Sequence, residues 1–160
     1  MTVSVYLSPS IPEDHEPGHM FLAWQKEKEA VEFRGYVFKV LDLPAEYQSV
    51  TKWREYLFDH VVPGYVIVDE IMIEKHACGD ANLIARHWPA NPWHIEELAE
   101  KAKPGPRGVY SFNPDDHPGA HNCVTWVTEV VNQVLGVVLP KVRQGRIKLM
   151  TEVLKTFRQE

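Results

Sequence analysis

Gly119-Ala120-His121-Asn122-Cys123-Val124-Thr125-Trp126 is the stretch on which the reading of this chain turns. Behind it lies Asn113-Pro114-Asp115-Asp116-His117-Pro118-Gly119, a loop dense in helix breakers and capping side chains. Ahead of it Val124, Val127, Val130, Val131, Val134 and Leu135 recur at helical spacing, and Gly136 supplies a stop. The pattern predicts a helix with Cys123 in its first turn. There the thiol meets N–H groups that have no partner within the helix and the positive end of the helix dipole, and both favour a thiolate. A thiolate is the nucleophile of cysteine hydrolases and acyltransferases. The competing reading is a buried packing thiol, because free cysteine is among the most buried residue types. The polar, turn-rich approach to Cys123 weighs against that default.

Outward from the cysteine, the chain predicts alternating short strands and helices. Residues 2–7 alternate as a strand that Ser8-Pro9-Ser10-Ile11-Pro12 ends. Residues 19–25 and 30–40 read as a hairpin joined by a charged turn at 26–29. Residues 45–61 place Tyr47, Val50, Trp53, Tyr56, Leu57 and Val61 on one helical face, which Pro63-Gly64 breaks. A β-prone run follows at 65–74, then an irregular segment at 75–90. Asn91 caps and Pro92 opens a helix over 92–103, and Pro104-Gly105-Pro106 closes it. Residues 109–112 read as extended, and a last helix is expected at about 146–157. This order is that of an α+β domain, expected as one unit over 1–160 with its working core at about 17–136.

Composition narrows the class. At 160 residues the chain can bury a full core, and 44% hydrophobic with 24% charged is ordinary for a water-soluble domain. A net charge of −5 argues against a general nucleic-acid surface, which wants a basic face. Cys78 and Cys123 give no disulfide framework and fit a reducing compartment. No apolar run reaches membrane-spanning length, and residues 1–10 are too short and polar-bounded for a secretory signal. The expected location is cytoplasmic, although a signal-less secretion route would leave the same sequence.

A cysteine nucleophile needs a base that pairs with the thiol and later protonates the leaving group. Of the eight histidines, His19 is the first residue of an otherwise apolar strand, a rigid mount at a sheet end. His117 and His121 lie nearer to Cys123 in sequence but on a loop, where His121 better serves capping or the local field. A third group should orient the imidazole through its other nitrogen. Glu32, on the strand after His19, is the first choice. Asp69, a carboxylate in the apolar run Tyr65-Val66-Ile67-Val68-Asp69, is the second, since such a group usually has a partner. The oxyanion of acyl transfer needs preorganised donors. The backbone N–H of Cys123 is one; the Asn122 side chain, the Tyr110 hydroxyl and another loop amide are the choices for a second.

Metal chemistry is the weaker option. His76-Ala77-Cys78 and His121-Asn122-Cys123 are two His-x-Cys pairs, but zinc sites more often use longer gaps within each pair. His15-x-x-x-His19 lacks the glutamate of the metalloprotease helix and precedes a strand. No metal or cofactor is therefore expected. Two alternatives to an enzyme stand beside it: a binding domain with Cys123 as a packing residue, and a small zinc module.

With His19 opening a strand, a second strand after it, and Asn122-Cys123 opening a late helix, the chain resembles the circularly permuted papain-like superfamily. That group includes lecithin retinol acyltransferase-like enzymes, de-SUMOylating-type isopeptidases and related bacterial peptidases. The resemblance implies an antiparallel sheet packed against a helix that carries the cysteine at its N-terminus. It implies Cys123 as nucleophile, His19 as base and a polar third residue on the next strand, which maps onto Glu32. After Asn-Cys this chain has Val124-Thr125-Trp126 where the retinol acyltransferases have Glu-His-Phe. That departure favours a peptide, protein or other amide substrate over lipid acyl transfer.

Overall fold

The computed structural model describes residues 1–8, 19–77, 84–137 and 139. Seven strands form one sheet: β1 (Thr2–Ser8), β2 (His19–Gln25), β3 (Glu32–Val37), β4 (Val62–Val68), β5 (Ile84–Pro89), β6 (Gly105–Tyr110) and β7 (Ala120–His121). Four α-helices accompany them among the described residues: α1 (Val50–Asp59), α2 (Glu70–Ala77), α3 (Pro92–Lys101) and α4 (Cys123–Leu135). The spatial order is β5-β1-β2-β3-β4-β6-β7, antiparallel throughout except for the parallel pair β6–β7. The chain is thus α+β. No helix among the described residues is long and apolar enough to cross a membrane.

Alternation along the strands sorts the side chains onto two faces. Val3, Val5 and Leu7 of β1, Met20, Leu22 and Trp24 of β2, and Tyr36 of β3 point to one face, where they meet α4 with Leu57 of α1 and Ile95 and Leu98 of α3. Tyr6, Phe21, Ala23 and Phe33 point to the other and form a second cluster. Helix α4 buries Val124, Trp126, Val127, Thr128, Val130, Val131 and Val134, more than one stripe of its circumference, as befits a helix laid across β2 and β3 with α3 on its flank. Its polar edge is Glu129 and Gln133, with Gln133 accepting from Lys101 Nζ. Gly136 closes it in the left-handed region at φ 67°, where the missing Cβ removes the steric penalty.

Strand β2 pairs with β1 along its whole length but with β3 only over Leu22–Trp24. From Arg34 onward β3 pairs with β4 instead. The His19 end of β2 therefore parts from β3, and that parting places the candidate site.

Several local expectations are revised. The helix expected over 45–61 is a 3-10 turn at Ala45–Tyr47 followed by α1. Pro63-Gly64 does not break a helix but sits inside β4, at a register shift between Pro63 and Tyr65 where a missing N–H is tolerated. The run at 65–74 splits: β4 ends at Val68 and α2 begins at Glu70. The stretch at 75–90 contains β5, an edge strand paired with β1. The helix expected at 146–157 lies outside the described residues.

Candidate active site

Asn122 has extended backbone angles and caps α4: its Oδ1 accepts from Val124 N (3.0 Å) and Thr125 N (2.9 Å). Thr125 Oγ1 accepts in return from Asn122 N at 2.9 Å, closing a reciprocal capping box. The parallel bridge of β7 to β6 holds the approach, so the first turn of α4 is fixed on both sides. Cys123 is the first residue of that turn, reduced, and only 4% exposed.

His19 opens β2 and leans along it, its ring stacked on Phe21 at 6.0 Å. Its Nε2 lies 2.7 Å from Asp69 Oδ2, and the Cys123 side chain is near enough to the same imidazole to raise its pKa. Asp69 stands at a strand-to-helix junction. Its N–H donates to the Phe33 carbonyl, and its own carbonyl accepts from Ile73 N at 3.0 Å, the first bond of α2. Held there, a carboxylate also profits from the positive end of α2. The side chain of Asp69 is 6% exposed and that of His19 21%.

The electrostatics follow from these contacts. Burial by itself pulls the His19 pKa down; the Asp69 hydrogen bond, then the hydrogen bond and negative charge of Cys123, outweigh it and push it up to about 9. At neutral pH the imidazole is a cation between a carboxylate and a sulfur.

The sequence-derived residues divide accordingly. The structure places Cys123 near enough to His19 to shift its pKa and adds Asp69, the second choice for the third group. It does not bring Glu32 there. Glu32 pairs with Trp24, five residues along β2 from His19, a separation of about 16 Å. Its half-exposed carboxylate binds Arg34 Nη1 at 3.0 Å instead. Asn122 acts as the helix cap, leaving its Nδ2 as the side chain's remaining donor. Tyr110 is a core aromatic, its ring 5.7 Å from that of Tyr36 and 5.2 Å from that of Phe38.

Five other histidines are engaged locally. His121 binds Thr125 Oγ1 and Glu129 Oε2, His117 faces the Phe58 carbonyl, and His94 accepts from Asn91 N. His87 meets Ser4 Oγ, and His60 meets the Tyr56 carbonyl. Of the proposed zinc pairs, Cys78 lies outside the described residues and both His121 nitrogens have the partners just named. Among the described residues no cluster of three or more His, Cys, Asp or Glu has the arrangement of a metal site.

The signal for Asp69 was present in the sequence. An aspartate that ends a β-branched run and is followed by Glu70 is a helix N-cap pattern. Ile71-Met72-Ile73 masked it by prolonging the apolar run. No protein-family model, curated protein or solved structure matches this chain.

Proposed function

We propose that the protein is a cysteine hydrolase or acyltransferase in which Cys123 is the nucleophile, His19 the acid–base and Asp69 the group that orients and charges His19. The observation that carries this reading is one imidazole hydrogen-bonded to a buried carboxylate and raised in pKa by a neighbouring sulfur at a helix start. With Nε2 on Asp69, Nδ1 is the nitrogen left for the sulfur. The order of elements, histidine strand first and cysteine helix last with α4 across β2 and β3, supports a permuted papain-like arrangement.

The chemistry is then acyl transfer. The Cys123 thiolate attacks a carbonyl carbon, and the C=O π electrons move to oxygen. The Cys123 N–H is the first donor to that oxyanion. As the intermediate collapses, the His19 imidazolium gives its proton to the leaving amine or alcohol, and a thioester remains. Neutral His19 next takes a proton from water or another acceptor, whose oxygen or nitrogen attacks the thioester. Sγ departs as thiolate and the starting pair is restored. The substrate class is a peptide, protein or other amide or ester.

Iodoacetamide labelling of the native protein against pH tests the reading. The expected result is one carboxamidomethyl group on Cys123, added well below the free-cysteine pKa of ~8.5. Labelling that requires denaturation sinks the enzyme reading and leaves Cys123 as a packing residue, the role to which its burial points.

A further inference from the structure

We propose that Gly35 is a positioning residue of this site: the missing side chain at this point of β3 is what lets Asp69 reach His19. The inference rests on the Cys123–His19–Asp69 reading and adds a residue to it.

His19 is on β2, Asp69 follows β4, and β3 runs between them. Two interstrand steps amount to about 10 Å, so the two side chains must meet over the backbone of β3. Alternation puts Phe33, Gly35 and Val37 on the face where they meet. Phe33 fills its place, packed on Phe21 with a centroid distance of 5.9 Å. At Gly35 the face is open, and there the His19–Asp69 hydrogen bond lies.

The fit is tight. A Cβ on Gly35 would stand 2.7 Å from Asp69 Oδ2, 3.1 Å from His19 Nε2 and 3.4 Å from His19 Cε1. The two nearest atoms are the two ends of the hydrogen bond itself. Backbone conformation does not call for glycine, because Gly35 is not among the residues with positive φ. What position 35 requires is space. Neither partner can yield without loosening the pair: Asp69 is fixed by backbone bonds to β3 and α2, and His19 by its stack on Phe21.

A methyl group at 35 should therefore act on the ion pair rather than on the strand. The test is an NMR titration of the His19 ring in wild type, Gly35→Ala, Asp69→Asn and the double variant. Wild-type His19 is expected to titrate at about 9. Gly35→Ala should lower that by about one pH unit or more, close to the effect of Asp69→Asn. Adding Gly35→Ala to Asp69→Asn should then change little, since the contact it disturbs is already gone. A merely structural role predicts additive effects, which would overturn the proposal. So would a Gly35→Ala protein whose His19 still titrates at the wild-type value; if its Cys123 stays reactive, only the inference about Gly35 falls. A wild-type His19 that titrates near 6.5 removes the ion pair and this proposal together. Should Gly35→Ala fail to fold, Gly35→Ala/Asp69→Ala decides: without the oxygen 2.7 Å away it should fold no less stably than Asp69→Ala alone. If that double variant also fails to fold, the proposal is wrong.

Discussion

His19 is the residue on which the chemistry depends, because its charge state follows from its two partners. With its pKa raised to about 9, the imidazolium persists through neutral pH. The rate of Cys123 acylation should accordingly hold up to about pH 9 and fall above it as the proton is lost. Asp69→Asn should move that alkaline limb to lower pH and cut kcat/KM by roughly 10-fold or more, whereas Glu32→Gln, altering only the pair of a half-exposed carboxylate with Arg34, should leave both unchanged within about 2-fold. Equal losses in the two variants would return the third role to Glu32. Cys123→Ala should abolish turnover while leaving the fold intact, as circular dichroism would report. Glu32 was the natural expectation from sequence because it is near His19 along the chain. Strand register separates them, and Asp69, fifty residues from His19, arrives through a neighbouring strand.

At the level of elements, helix α4 shows how far local rules reach. Its start, its apolar spacing and its glycine stop were all legible, because a cap, a 3.6-residue period and a C-terminal glycine are local properties. Asn122→Ala should remove the acceptor for two amides and cost about 1 kcal/mol in urea unfolding, with a smaller loss for Asn122→Ser. It should also slow Cys123 alkylation at neutral pH, since the same cap fixes the first turn. A variant with wild-type stability would mean that the capping box contributes nothing. The strands were less legible. Pro63-Gly64 and Pro106 look like breakers, yet β4 and β6 accommodate them at a register shift and along an irregular pairing. The apolar run 65–74 carried no periodicity able to separate β4 from α2, and only the Asp69-Glu70 junction marks the boundary.

Across the whole molecule, the candidate site couples to stability through His19. A base whose pKa is higher folded than unfolded stabilises the fold fully below its unfolded value of about 6.5, and that contribution disappears as pH rises through about 9. Wild type should lose up to about 3 kcal/mol across that window, and His19→Gln should show a flatter profile in urea titrations at several pH values. Equal slopes would mean that His19 titrates alike folded and unfolded. The packing beneath the site is shared with the rest of the sheet: Phe21 stacks on both Tyr6 and His19, so Phe21→Ala should cost about 3–5 kcal/mol and loosen the imidazole together. By itself the sequence determined the α+β class, the helix that begins at Cys123 and the strand that begins at His19, because capping, periodicity and turn chemistry act over a few residues. Tertiary structure alone decided which carboxylate meets the imidazole. That choice depends on where β2 leaves β3, on which strand lies between, and on whether the residue beneath the hydrogen bond has a side chain, and each of these is set by pairing between distant parts of the chain.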